Sequence, residues 1–258
     1  MNVLITGAMG WLGIALTKTI ATRHHVRTFD VKHSENPREP LNTKVDEVWG
    51  SITDFQGVRA ATKGQDAAIH AVMASTRRGL YSPGDVAPFE VNIMGAYNLL
   101  EAARQEGLKR VILISSAETH VDHQPDTFVS GNTPYAGTGS IYDMTKRLQE
   151  SMASWFTEIH DLSVIALRLG DIVDVNLGRC KYGEATFDEA VARDGYIDRF
   201  DVGRACVSAL ELEFHGFEVL HLIGSPDAKR IFDTARTEAM LDIEFTTEFD
   251  RRSASKRQ

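Results

Sequence analysis

Val3-Leu4-Ile5-Thr6-Gly7-Ala8-Met9-Gly10-Trp11-Leu12-Gly13-Ile14 sets three apolar residues ahead of glycines at 7, 10 and 13, and the run continues with Ile14, Leu16 and Ile20 at helical spacing. A short apolar run that passes through glycines into a 3.6-residue period predicts a strand over Asn2–Thr6, a tight turn, and a helix over Trp11–Ala21. Each glycine has its own task in such a unit. The first permits the turn, the second lets the backbone approach a pyrophosphate, and the third lets helix and strand pack closely. Backbone amides near Trp11 and Leu12 then face an anion at the helix N-terminus.

The same rhythm continues along the chain. Strands are expected at His25–Phe29, Glu47–Trp49, Ala67–His70, Arg110–Ser115, Ser163–Leu169 and Val219–Ile223, and helices at Phe55–Ala61, Pro88–Glu106, Ile141–His160 and Arg199–Glu211. Alternation of this kind is the pattern of βαβ units and a parallel sheet. Three stretches break it, Met73–Val86, His120–Ser140 and Asp171–Gly195. All are rich in Gly, Pro, Asp, Ser and Arg, and each follows a predicted strand. Ligand sites in open parallel sheets lie beyond the strands' carboxyl ends, so these stretches are expected to wall a pocket. Asp30 closes the second strand, from which a carboxylate accepts the adenosine ribose hydroxyls and repels a 2′-phosphate. That favours NAD over NADP, with Lys32 and His33 the only nearby cations to argue otherwise.

Composition excludes several other classes. The chain has 258 residues and a net charge of −8, with no global attraction to nucleic acid or anionic membranes. Its 28.6 kDa is enough for one large α/β domain. Cys180 and Cys206 have no paired Cys/His spacing, so neither a disulfide framework nor a metal site is expected. His120 and His123 read as pocket wall or surface. Arg77 and Arg78 are adjacent and rarely point the same way, so neither receives a role. No apolar stretch reaches membrane-spanning length, and a cytoplasmic protein is expected.

Tyr142 and Lys146 stand at i and i+4 in the helix Ile141–His160 and therefore share a face. An ammonium beneath a phenol stabilises the phenolate and lowers its pKa, which suits proton exchange with an alcohol or carbonyl. Strand Val111-Ile112-Leu113-Ile114 delivers Ser115 and Ser116 to the sheet edge where a hydroxyl can bind the reacting oxygen.

With these residues in place the chain resembles the extended short-chain dehydrogenase/reductases, the NAD-dependent epimerase/dehydratase family. The resemblance is carried by Thr6-Gly7-x-x-Gly10-x-x-Gly13, Val91-Asn92-Ile93-Met94-Gly95-Ala96-Tyr97-Asn98-Leu99-Leu100, Ile114-Ser115-Ser116-Ala117, Tyr142-x-x-x-Lys146 and Leu167-Arg168-Leu169-Gly170-Asp171-Ile172. It implies a Rossmann-type doubly wound parallel sheet in one domain over residues 1–258. The cofactor core would be 1–170 with 199–223, and a small C-terminal substrate-binding portion 171–198 with 224–258. It implies a Ser116–Tyr142–Lys146 triad in which Ser116 holds the substrate oxygen, Tyr142 is the acid/base and Lys146 also holds the nicotinamide ribose. The cofactor contacts it implies are Gly7, Gly10, Trp11, Leu12, Gly13, Asp30, Ser51, Ile52, Ala71, Val72, Met73, Asn92, Tyr142 and Lys146.

Two departures narrow the reading. Gly50-Ser51-Ile52 stands where the family usually has Gly-Asp-Ile/Leu, which weakens adenine recognition. Little chain follows Ile223, whereas nucleotide-sugar enzymes of the family carry a long C-terminal lobe, so a small substrate fits better. In length and pattern the chain looks most like the uronate dehydrogenases, with Ser75 and, after a one-residue shift, Arg179 matching their substrate contacts. An arginine fork suits a carboxylate bidentately. Where that group has Asn, His and Ser to meet sugar hydroxyls, this chain has Ala117, Glu118 and Asp171. The expected activity is NAD-dependent oxidation of a hydroxyl or hemiacetal of a small sugar-like substrate, a uronate among the candidates, by a homodimer. The alternatives are an epimerase or dehydratase that uses the cofactor transiently, and a non-catalytic NAD-binding protein.

Overall fold

Val3, Leu4 and Ile5 are fully buried because β1 (Asn2–Thr6) lies inside a sheet covered on both faces. Alternation divides them, Val3 and Ile5 joining one apolar layer and Leu4 the other, as the two-residue repeat of extended backbone requires. In the computed structural model the described residues are 1–32, 40–74, 81–120, 127–181, 183–184, 195–225, 229–245 and 247. After β1 come α1 (Trp11–Ile20), β2 (His25–Asp30), β3 (Asp46–Trp49), α2 (Phe55–Thr62) and β4 (Ala67–His70). A π-helical segment, Pro88–Met94, runs into α3 (Gly95–Glu106), followed by β5 (Arg110–Ser116), a 3₁₀ turn at Ala117–His120, α4 (Ile141–His160) and β6 (Ser163–Leu169). Then come β7 (Asp171–Asp174), β8 (Arg179–Cys180), β9 (Gly183–Glu184), β10 (Tyr196–Asp198), α5 (Arg199–Glu211), β11 (Phe217–Leu222) and α6 (Thr234–Leu241).

Seven strands form a parallel sheet in the order β11-β6-β5-β4-β1-β2-β3. Helices α1 and α5 pack together over one face, while α2, α3 and α4 cover the other. This is the doubly wound, Rossmann-type arrangement expected from the sequence. The chain winds outward from β1 through β2 to β3, then returns to place β4 on the other side of β1. The switch point, and with it the ligand crevice, therefore lies beyond the carboxyl ends of β1 and β4.

The structure departs from the sequence reading at three places. The stretch Asp171–Gly195, expected as irregular wall, contains β7, β8 and β9, which join β10 in a second, four-stranded sheet ordered β10-β7-β8-β9. Strands of two to four residues are too short to show alternation, which is why the sequence hid them. The run Pro88–Glu106, expected as one helix, opens as a π-helical turn before becoming α-helical. Helix α6, in a stretch where no helix is expected, packs on β11 and α5.

Candidate active site

At the switch point the backbone of β1 and β4 nearly touches. Gly7 has φ of +77°, and a Cβ there would stand 2.7 Å from the carbonyl oxygen of Ala71. A Cβ on Gly13 would stand 2.0 Å from the carbonyl oxygen of Gly7, so α1 packs directly on the turn. Helix α1 begins at Gly10 without any side chain capping it, and its first-turn amides are the donors an anionic ligand requires. Asp30 ties this loop down, its two carboxylate oxygens accepting the N–H groups of Met9 and Val31, each at 2.8 Å. Each oxygen keeps a lone pair for a further donor. These features fit a dinucleotide.

The remaining cofactor positions of the sequence reading fall around the same crevice. Ala71, Val72 and Met73 are half-buried in the segment that leaves β4. Ser51 pairs its hydroxyl with that of Thr53 at 2.7 Å. Ile52 is buried, its side chain lying where a Cβ on Gly95 would fall. Asn92 is fully buried, and its side chain is spent on bracing: Oδ1 accepts the Ala74 N–H at 2.7 Å, and Nδ2 donates to Tyr81 and Thr145 at 3.3 and 3.1 Å. It supports the crevice wall from below.

Helix α4 starts at Ser140, whose hydroxyl accepts the Asp143 N–H at 3.1 Å. One turn later its buried face carries Lys146, whose Nζ donates to the Ile114 carbonyl at 2.7 Å and lies 5.9 Å from the ring centre of half-buried Tyr142. Burial pushes the Lys146 ammonium down to about 8, against the opposing pull of Glu150. His70, at the end of β4, is pushed down to about 3 by burial and by Lys146, and is therefore neutral. Its Nδ1 lies 3.0 Å from the Thr6 hydroxyl, and its buried Nε2 has no hydrogen-bond partner among the described residues. Ser116 ends β5, with its Oγ accepting the Glu118 N–H at 3.2 Å. Ala117 is a correction. Expected against substrate, it is fully buried in an apolar cluster with Val129, Ile223 and Phe232.

Asp171 begins β7 as an exposed residue, and Arg179 begins β8, opposite Asp174 in the antiparallel pair. The Arg179 guanidinium lies 5.4 Å from the ring centre of Trp11, in the cofactor loop. Arg199, which sequence reasoning passed over as a helix residue, is fully buried 4.1 Å over the same ring. It donates to the Trp11 carbonyl at 3.2 Å and pairs with Asp174 at 2.6 Å. No spacing rule joins residues 11, 174 and 199, so only the folded chain reveals that cluster. A second unread group, Glu150 with Arg168, lies behind the serines. His120 has its Nε2 at 2.9 Å from the Thr133 carbonyl and its ring against Tyr135. Ser75, Arg77, Arg78, His33 and His123 lie outside the described residues. Among the described residues no helix is long and apolar enough to cross a membrane.

A family model described as the NAD dependent epimerase/dehydratase family matches residues 3–174. A uronate dehydrogenase of Pseudomonas syringae pv. tomato is 29% identical over 175 residues, covering 66% of this chain and 58% of that protein. An L-arabinose 1-dehydrogenase (NAD(P)(+)) of Haloferax volcanii is 26% identical over 203 residues, 74% of each chain. The match to the first of these spans less than two thirds of its length. The crystal structure of uronate dehydrogenase from Agrobacterium tumefaciens superposes with a TM-score of 0.78 at 20% identity, over 100% of this chain and 89% of that one, a likeness of fold.

Proposed function

Since this chain belongs to the NAD dependent epimerase/dehydratase family, we propose that it is an NAD-dependent dehydrogenase oxidising a hydroxyl or hemiacetal carbon of a small sugar-like substrate. The observation that carries this reading is Lys146, buried on the α4 face it shares with Tyr142, at the edge of the sheet that holds the glycine loop. Tyr142, as phenolate, takes the substrate hydroxyl proton, and the Lys146 ammonium stabilises that phenolate. Ser116 donates a hydrogen bond to the substrate oxygen. Bound NAD supplies the hydride acceptor, held by Gly7, Gly10, Trp11, Leu12, Gly13 and Asp30.

We assign Arg179 to an anionic end of the substrate, because it is an exposed cation on the small sheet beside the cofactor loop. A uronate supplies such an end, and the uronate dehydrogenase among the relatives points the same way. Asp171 and Ser75 complete the proposed substrate contacts. A second reading, transient oxidation by an epimerase or dehydratase, is favoured by the family description alone. The proposed assembly is a homodimer through the run Pro88–Glu106 and α4, whose exposed apolar residues include Met94, Tyr97, Met144, Leu148, Trp155 and Ile159. We place the protein in the cytoplasm, a compartment that keeps thiols such as those of Cys180 and Cys206 reduced.

The test is a screen of uronates, aldoses and polyols with NAD, following NADH absorbance. Stoichiometric NADH with product is the expected result. Product formation without NADH accumulation would establish the second reading, and absence of any substrate-dependent turnover would remove both.

A further inference from the structure

The Glu150 carboxylate is where α4, β5, β6 and the segment before α4 meet, and nothing in the proton transfer described above uses it. On α4 it stands one turn past Lys146 and two past Tyr142, on the same face. Its Oε1 accepts the Ser115 hydroxyl at 2.5 Å and Arg168 Nε at 3.0 Å; its Oε2 accepts the Tyr135 hydroxyl and Arg168 Nη2, each at 2.7 Å. Glu150 and Arg168 are each 1% exposed. Burial alone would raise the Glu150 carboxyl, but Arg168, Ser115 and Tyr135 more than offset it and hold it below its ordinary value. It is an anion.

Two consequences reach the reacting groups. Side chains alternate along a strand, so tying Ser115 to α4 turns Ser116 to the opposite side and fixes its register. The second concerns Lys146. Among the described residues the ionisable groups around it are Tyr142 and Glu150 from α4, neutral His70 from β4 and, behind the carboxylate, Arg168 from β6; the Ile114 carbonyl from β5 accepts a hydrogen bond from its ammonium. Among these described groups, Glu150 carries the negative charge.

We propose that Glu150 is a positioning residue for the proton transfer, holding Ser116 in register and supplying the anion that faces the Lys146 ammonium. This rests on the reading of Ser116, Tyr142 and Lys146 given above. A buried ion pair is weak evidence of stability by itself, since well-packed apolar replacements of similar volume are often tolerated. Here the carboxylate also binds two hydroxyls, one of them on the residue before Ser116, and that arrangement serves position as well as packing.

The experiment compares the pH profile of kcat/KM at saturating NAD in the wild type, in Glu150→Gln, and in the double variant Glu150→Met with Arg168→Met. Without the anion Lys146 loses its proton more readily, so the alkaline limb should move to lower pH by at least about half a unit in Glu150→Gln, and in the same direction by less in the double variant, where loss of the Arg168 cation partly offsets loss of the nearer carboxylate. A role confined to packing would lower stability and leave the limb in place. Should Glu150→Gln fail to fold, the double variant, which leaves no unpaired buried charge, still reads the direction of the shift. Ser115→Ala separates the register effect, with kcat falling at least about threefold and the limb unmoved. A folded variant lacking Glu150 whose alkaline limb coincides with that of the wild type overturns the electrostatic role, and Ser115→Ala with unchanged kcat overturns the register role. Tyr142→Phe tells the two readings apart: if it keeps wild-type turnover the catalytic assignment itself fails, whatever the Glu150 variants do.

Discussion

Replacing Asp30 by alanine removes two things at once, and the structure shows how to separate them. The carboxylate holds the glycine loop by accepting the Met9 and Val31 amides at 2.8 Å each. In the proposed complex it also accepts the ribose hydroxyls of NAD and repels a 2′-phosphate. Loosening the loop weakens NAD and NADP alike and cancels in the ratio of their kcat/KM values, whereas the ribose contribution does not cancel. A hydrogen bond to a charged acceptor is worth about 1.5–3 kcal/mol. Relieving repulsion between a half-exposed carboxylate and a phosphate about 5 Å away adds roughly 1–3 kcal/mol at effective dielectrics between protein surface and water. Taking the low end of both, about 2.5 kcal/mol together, the NAD:NADP ratio should fall by at least about seventyfold. The assay is initial-rate kinetics with each cofactor at saturating substrate for Asp30→Ala and wild type. If the wild type prefers NADP, or if both cofactors weaken together and the ratio moves less than about threefold, which corresponds to roughly 0.65 kcal/mol, Asp30 is a loop tie and nothing more.

Tyr142→Phe removes the proton-transfer hydroxyl and little volume, so kcat should fall by about 10²–10⁴ while NAD binding by titration is nearly unchanged; a variant keeping more than roughly a tenth of wild-type kcat contradicts the assignment. Arg179→Ala should lower kcat/KM for an anionic substrate at least about tenfold, mainly through substrate KM. If the KM for NAD rises instead, the guanidinium serves the cofactor side, next to its neighbour Trp11, and the carboxylate anchor is wrong. Glutamate at Trp155 together with Ile159, both exposed on α4, should turn the dimer into a monomer in light scattering, and a wild type that is already monomeric at assay concentration refutes the pairing.

What the sequence disclosed, and what it hid, divides along physical lines. The strands Asn2–Thr6 and Ser163–Leu169 and the helices Ile141–His160 and Arg199–Glu211 agree with the structure residue for residue, because each is long or strongly patterned; four-residue Ala67–His70 agrees as well, being apolar up to its closing histidine. The glycine loop was legible because its geometry leaves no room for a side chain, and Tyr142 and Lys146 because helical spacing is fixed. The small sheet of β7–β10 was not, since its strands are two to four residues long and hold together through pairings remote in sequence. Glu150 was within reach of the same i, i+4 rule that found Lys146. Its partners Ser115, Tyr135 and Arg168 come from three other segments, and a carboxylate on a helix ordinarily reads as solvated.

The buried pair of Asp174 and Arg199 bears on how the two sheets act together. Arg199 is fully buried, stacked over Trp11 and bonded to its carbonyl, while Asp174 belongs to β7 of the small sheet. Taking two charges out of water costs several kcal/mol per ion, and only close geometry offsets it. Both of those ion-pair contacts are short, Nε lying at 2.7 Å and Nη2 at 2.6 Å from the same carboxylate oxygen. What the pair secures is a fixed relation between the edge that carries Arg179 and the helix end that faces the cofactor. In an apolar replacement the two sheets would still pack, but the Trp11 carbonyl would lose its donor and Arg179 its backing. In the proposed reaction the substrate carbon must meet the nicotinamide ring at a set distance, and errors of about 1 Å in such a placement cost on the order of 10²-fold in rate. A rigid tie between the small sheet and the glycine loop is therefore what the proposed chemistry requires.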